Sequence, residues 1–168
     1  MNNDKFVINA NNINDFFKNA LDDPALLSTI DIDRLLNSLE NVKNDYLEEK
    51  SLNQLSDEIY QVLETLPIQT EMRREYLSKL AGYRYVDEIH ELHKGKHVRW
   101  VNRRNGKLTN GGIIVEIKFL DSGIQVLCMN SARRFIQYKY DECLTFQKLS
   151  MEEQLILMAY AHTSNSSI

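Results

Sequence analysis

The periodicity of the apolar residues changes near Gly82, and this change constrains the fold more than any other feature of the sequence. Before Gly82, apolar residues recur at intervals of three and four, which predicts helices. After Lys96, short runs alternate apolar and polar residues and are rich in β-branched side chains, which predicts strands. Turn residues such as Asn105-Gly106 separate the runs. The predicted strands cover residues 97–101, 112–119, 124–129, 135–140 and 144–148.

Five strands within about fifty residues are too few for two large packed sheets, and a closed barrel removes the exposed sheet edges. The predicted fold class is therefore α+β, with an N-terminal helical bundle, a small five-stranded antiparallel β-barrel and a C-terminal helix. The predicted domains are an acidic helical region at 1–82, a basic barrel at 83–149, and a C-terminal helix and tail at 150–168 that pack on the barrel or the bundle.

The N-terminal helices are predicted at 13–21, 35–46, 52–66 and 70–80, with Pro67 ending the third helix and Gly82 the fourth. The run Ser150-Met151-Glu152-Glu153 has the spacing of a capping box before the C-terminal helix. Apolar stripes on helices fill either an internal core or an interface, and periodicity does not distinguish the two. A protein partner or a second copy of the chain, bound through the helices of 31–66, is therefore one predicted kind of partner.

Charge is segregated along the chain. Residues 1–82 carry 8 Lys and Arg against 15 Asp and Glu, whereas residues 83–148 carry 12 against 7. A basic region beside an acidic one predicts either that the two dock on each other or that the basic region has a polyanionic partner. Nucleic acid is accordingly the second predicted kind of partner.

The predicted nucleic-acid site consists of cations and one aromatic ring in the basic region. On strand 97–101, alternation places Val98 and Trp100 inside the barrel and Arg99 outside. An outward aromatic ring among cations is a platform for phosphate contacts and a stacked base, although solubility or pairing with the acidic half explains the cations equally. The predicted interior is Val98, Trp100, Ile113, Val115, Ile117, Val126, Ile136, Tyr138 and Phe146. The predicted site is Lys94, Lys96, Arg99, Arg103, Arg104, Lys107, Arg133, Phe135 and Lys139.

No sequence motif indicates catalysis, so an enzyme is not predicted. GxSxG, HExxH, phosphate-loop and dinucleotide-binding patterns do not occur. His90, His93 and His97 lack a cysteine or carboxylate to complete a metal site, and Cys128 and Cys143 lie in apolar runs typical of core thiols. No metal or organic cofactor is expected. No apolar run reaches the ~20 residues of a membrane span, so no membrane partner is expected.

Three stretches carry a resemblance: Gly95-Lys96-His97-Val98-Arg99-Trp100, Leu108-Thr109-Asn110-Gly111-Gly112-Ile113-Ile114-Val115 and Phe146-Gln147-Lys148-Leu149. They are similar to uncharacterised proteins of large double-stranded DNA viruses of the mimivirus and marseillevirus type. The same region resembles a Tudor or Src-homology-3-type barrel, whose members bind peptides, modified tails or nucleic acid.

The resemblance implies an intracellular viral protein of the host cytoplasm or virus factory, or one packaged in the virion. It implies no individual site residue. In Tudor-like barrels, aromatic residues cage methylated side chains, so Trp100, Tyr138, Tyr140 and Phe119 form either a cage or the core. The predicted function is that of a non-enzymatic binding protein contacting the genome or the transcription machinery through the barrel. The alternative is an interaction scaffold whose barrel binds a peptide and whose acidic helices recruit a partner or self-associate.

Overall fold

A computed structural model describes residues 50–165, together with Asn37 and Leu47. Three α-helices are described over their full length: α1 (Leu52–Glu64), α2 (Thr70–Lys79) and α3 (Met151–Asn165). Two short 3-10 helices lie at Ile89–Glu91 and Tyr140–Glu142. The three α-helices coincide with the predicted helices at 52–66, 70–80 and the C terminus. The helices predicted at 13–21 and over most of 35–46 lie outside the described residues, as does much of the 31–66 segment predicted to bind a partner.

The chain forms two compact units, one of Met1–Leu52 with Ser150–Ile168 and one of Asn53–Leu149. Nearly all of α1 and the whole of α2 belong to the same unit as the β-strands. The predicted domain boundary at residue 82 lies between α2 and β1. This position is inside the compact unit of Asn53–Leu149.

The six strands of the described residues belong to one antiparallel sheet in the order β1-β6-β2-β3-β4-β5. The strands are β1 (Tyr83–Val86), β2 (His97–Asn102), β3 (Gly112–Leu120), β4 (Gly123–Met129), β5 (Phe135–Lys139) and β6 (Cys143–Lys148). The predicted closed five-stranded barrel is wrong, because the sheet is open and has a sixth strand. Residues 83–86, whose sequence pattern fits helix and strand alike, pair with β6. The open edges of the described sheet are β1 and β5.

The open sheet nevertheless curls over a core on its inner face. Trp100 of β2 stacks on Tyr138 of β5, with ring centroids 4.1 Å apart, although two strands separate β2 from β5 in the sheet. The Tyr138 hydroxyl lies 3.1 Å from the Thr145 hydroxyl of β6. This core consists of Val86, Leu92, Val98, Trp100, Ile114, Val126, Cys128, Tyr138 and Cys143.

A second core joins α1 and α2 to the outer face of β2 and β6. Its sheet residues are Val101, Leu144 and Phe146. Its helical and connecting residues are Ile59, Leu63, Leu66, Tyr76 and Leu80. Strand β6 is therefore buried on both faces, and Phe146 packs with the helices instead of in the predicted barrel interior.

The predicted interior positions on β3 are wrong at Ile113 and Val115. Ile113 is 50% exposed and Val115 is also exposed, whereas Ile114 between them is 2% exposed. The β3–β4 register shifts between Ile114 and Glu116, so Val115 is the additional residue of a β-bulge. A bulge reverses the alternation of side chains along a strand, which is why both Ile114 and the later Ile117 contact the inner core.

Helix α3 begins with the predicted capping box. The Ser150 hydroxyl accepts a hydrogen bond from the Glu153 backbone N–H, and the Glu153 carboxylate accepts one from the Ser150 N–H, each at 3.1 Å. This confirms the predicted helix start, because both unpaired backbone donors gain an acceptor. None of the helices in the described part of the chain has the length and apolar character needed to cross a membrane.

Candidate binding face of the sheet

An apolar row crosses the outer face of β3, β4 and β5. Ile113 lies opposite Met129 in the register, and Met129 lies opposite Phe135, so all three side chains share one face. Their exposed fractions are 50%, 36% and 63%. Two strand spacings separate the ends of the row, which is about 10 Å. We call this row, with the neighbouring Val115, the apolar row.

The same outer face becomes polar away from the apolar row. The next two rows of opposed residues are Glu116, Leu127 and Gln137, then Lys118, Gln125 and Lys139. The Gln137 side-chain amide donates to the Gln125 side-chain oxygen at 3.2 Å. Opposite charges accompany the lysines, since Lys118 lies 4.0 Å from Glu116 and Lys139 lies 3.6 Å from Glu142. The exposed face is thus apolar at one end and polar at the other, where the lysine and glutamate charges nearly cancel.

The β4–β5 hairpin places two arginines beside the apolar row. The Asn130 side-chain oxygen accepts a hydrogen bond from the Arg134 N–H at 3.0 Å, and the Asn130 N–H donates to the Arg134 carbonyl at 2.9 Å. Arg133 adopts a φ of 57°, a left-handed conformation that favours glycine. Both arginines are exposed, and neither guanidinium has an ion pair or hydrogen bond within the described part of the chain.

Arg99, predicted to contact phosphate, is half-buried and bonded to backbone. Its Nε donates to the Thr109 carbonyl at 2.8 Å, and its Nη1 donates to the Lys79 carbonyl at 3.1 Å. Lys79 is the last residue of α2, where carbonyls lack helical partners and a cation is favourable. Arg99 therefore joins the end of α2 to the β2–β3 connection.

The other predicted cations lie in separate places. Lys94 and Lys96 lie in and just after the turn before β2, and the Lys96 carbonyl accepts a hydrogen bond from the Ile114 N–H at 2.9 Å. Arg103, Arg104 and Lys107 lie in the β2–β3 connection. Of the nine predicted site residues, only the set Arg133, Phe135 and Lys139 belongs to the hairpin and β5.

The four aromatic residues predicted to form either a cage or the core do not form a cage. They are Trp100, Tyr138, Tyr140 and Phe119. Trp100 and Tyr138 are stacked and buried in the inner core, and burial raises the pKa of the Tyr138 hydroxyl far above its usual value. Tyr140 donates to the carbonyls of Val86 and Asp87. Phe119 is 70% exposed near the end of β3, on the face opposite to the apolar row.

His97, Cys128 and Cys143 have packed or hydrogen-bonded surroundings. Nδ1 of His97 lies 3.0 Å from the Tyr83 hydroxyl, and burial, followed by the charges of Lys148 and Arg99, lowers the pKa of His97. Cys128 and Cys143 are buried free thiols. Within the described residues, no three His, Cys, Asp or Glu side chains are grouped so that they could hold a metal ion.

Sequence reasoning missed three members of the apolar row, Ile113, Val115 and Met129, and one arginine of the hairpin. Strict alternation back from Ile117 places Ile113 and Val115 in the interior, and the sequence marks Met129 only as the end of a strand. The predicted site contains Arg133 and not Arg134, although Asn130-Ser131 marks a hairpin turn and places both arginines at its end. Gly112 is a further signal in the sequence. A Cβ at this position would lie 2.5 Å from the Met129 carbonyl oxygen, so the glycine is needed where β3 approaches the backbone of Met129.

No protein-family model, no curated protein and no solved structure matches the chain. The resemblance to viral proteins therefore stays a prediction from the sequence.

Proposed function

We propose that the protein is a non-enzymatic binding module that docks a partner protein on the outer face of β3, β4 and β5. The observation that carries this proposal is the alignment of Ile113, Met129 and Phe135 in one exposed row. Single exposed apolar side chains are ordinary on protein surfaces, whereas contiguous ones mark interaction sites.

The composition of this surface favours a protein partner. Centres of protein interfaces are enriched in aromatic residues, Met and Arg and depleted of Lys and Glu. Here Phe135 and Met129 form the centre, Arg133 and Arg134 stand at one border, and Glu116 and Lys118 lie on the far side. Full burial of a Phe side chain contributes about 1.5–3 kcal/mol, so covering the exposed two thirds of Phe135 contributes about 1–2 kcal/mol to binding.

Single-stranded nucleic acid is the second candidate partner, supported by the exposure of Phe135 directly after Arg133 and Arg134. A base can stack on the ring while the guanidiniums contact phosphates. The two hairpin arginines have no partner in the described residues, whereas Lys139 and Lys118 have carboxylates nearby. Two phosphate contacts give a salt dependence of only about −1.4 in log K against log salt for single strands. This is weaker than a dedicated nucleic-acid site requires, so protein binding is the better-supported proposal.

The experiment is a selection of ligands from a random peptide library against the full chain, followed by affinity measurements on variants. Phe135→Ala and Ile113→Ala remove parts of the apolar row. Phe119→Ala is the matched control, because Phe119 is similarly exposed and lies on the opposite face. Labelled single-stranded oligonucleotides are measured with the same variants at two salt concentrations.

We expect selected peptides to lose about 5- to 30-fold in affinity with Phe135→Ala, which is the 1–2 kcal/mol above expressed as a ratio. Phe119→Ala should leave affinity unchanged. Peptides that bind all three variants as tightly as the original chain would refute docking on this face. Oligonucleotide binding that exceeds peptide binding and depends on Phe135 would establish the second candidate instead.

A further inference from the structure

Strand β5 is an edge of the sheet and lies beside the apolar row. Within the described chain it pairs with β4 alone. An edge strand carries backbone N–H and C=O groups that have no ladder partner on one side. Such an edge can accept an added strand from another protein, in which main-chain hydrogen bonds supply much of the affinity.

The hairpin fixes which residues of β5 present their backbone to the open edge. In an antiparallel pair, opposed residues alternate between those that exchange hydrogen bonds and those that do not. The bond from the Asn130 N–H to the Arg134 carbonyl makes that pair a bonded one. The opposed pair Met129 and Phe135 is then not bonded, and the alternation continues along the register. Consequently Phe135, and after it Gln137 and Lys139, direct their N–H and C=O groups away from β4.

The same three residues have exposed side chains on the outer face, so an added strand would continue this face. We infer that the β5 edge accepts an extended acidic segment of a partner protein as a seventh strand. The inference rests on the proposed protein-binding function and specifies how the partner binds. Strand addition across five residues spans about 17 Å and places a partner side chain beside Phe135.

Charge selects the partner. Segment 133–139 carries three cations, Arg133, Arg134 and Lys139, and no acidic residue. An acidic side chain near the hairpin end of the added strand can pair with the two arginines, which are without partners in the described part of the chain. A second copy of β5 would instead bring the same three cations to this edge. An apolar partner side chain beside Phe135 completes the arrangement by extending the apolar row.

The probe is a fluorescein-labelled peptide of two aspartates at one end followed by alternating valine and threonine, titrated against the full chain. Two further versions carry N-methyl groups on alternate residues, one on the odd and one on the even positions. An added strand donates only every second N–H to β5, so one version should lose at least tenfold in affinity and the other should bind as the parent does. Equal affinities of the two versions, or no binding of the parent up to about 1 mM, overturn the inference.

Protein variants supply the second arm of the experiment. Gln137→Pro removes an edge donor while leaving the β4 ladder intact, and Gln137→Ala is its control for loss of the side chain. We expect peptide affinity to fall at least tenfold only with proline. Arg133→Glu and Arg134→Glu should each weaken binding of the acidic peptide, whereas Arg74→Glu, an exposed change on α2, should not.

The outcomes separate this inference from the proposed function. Library-selected peptides that depend on Phe135 but bind Gln137→Pro normally would leave docking on the outer face in place and refute strand addition. Independence from Phe135 would refute both. Dimerisation of the chain, measured by light scattering and abolished by Gln137→Pro, would show that a second copy occupies the edge and would overturn the acidic partner. Displacement of the peptide by oligothymidylate at equal or lower concentration would overturn it in favour of nucleic acid.

Discussion

Replacement of Arg133 by glycine should stabilise the unit that contains the sheet, although glycine usually destabilises β-structure. Arg133 has a φ of 57°, and an L-residue in this conformation costs about 1–2 kcal/mol that glycine avoids. Glycine in turn loses about 0.5–1 kcal/mol through the greater freedom of the unfolded chain. The difference favours Arg133→Gly by roughly 0.5–1 kcal/mol. The neighbouring Arg134→Gly obtains no relief of strain and should destabilise by about 0.5–1 kcal/mol.

Urea denaturation followed by fluorescence of Trp100, the single tryptophan of the chain, measures both variants in the unit of interest. The opposite signs are the test, because loss of an exposed guanidinium is common to the two changes. Destabilisation by Arg133→Gly, or equal effects of the two changes, would refute the strain at this position. Peptide affinity should fall with Arg133→Gly even as stability rises, which would show that the arginine serves binding at a cost in stability.

Three further predictions concern the core and its turns. Gly111→Ala should destabilise by more than about 4 kcal/mol, because its φ is 71° and the added Cβ would lie 1.7 Å from a backbone oxygen. Gly82 has a similar φ but open space around it, so Gly82→Ala should cost about 1–2 kcal/mol. Equal losses of unfolding free energy in urea titrations would contradict this. Tyr138→Phe and Thr145→Val should each cost about 1–3 kcal/mol by leaving one buried hydroxyl unpaired, and the double variant should cost less than their sum. Burial raises the pKa of Cys128 to about 12 from 9.0. The contribution of the neutral thiol to stability is therefore complete below pH 9 and is lost as pH rises toward 12. The unfolding free energy should fall over this range, with a shallower slope in Cys128→Ala.

Local sequence patterns sufficed to place the described helices and the five predicted strands. The α3 start was predictable because Ser150 and Glu153 satisfy each other's backbone donors without help from the rest of the chain. The exposure of Phe135 was predictable for a similar reason, since alternation along β5 is regular from Phe135 to Lys139.

The remaining features depend on contacts between distant residues. Whether residues 83–86 form a helix or a strand is decided by pairing with β6, some sixty residues later. The exposure of Ile113 follows from a bulge that forms only against β4. Arg99 looks like a surface cation in the sequence, and its bond to the end of α2 appears only when the helix has packed near β2. Tertiary contacts override local preference at each of these positions.

The position of β6 has a consequence for how the protein is made. Strand β6, the last strand among the described residues, lies between β1 and β2, pairs with both and is buried on both sides. During synthesis, β1 has no sheet partner and the helices have no β6 surface until residues 143–148 leave the ribosome. The nascent chain must therefore keep β1 and the helix-facing side of β2 from other contacts until synthesis of this unit is nearly complete. Such long-range pairing slows folding and prolongs the exposure of strand edges to aggregation, so this unit should depend on chaperones more than its size suggests.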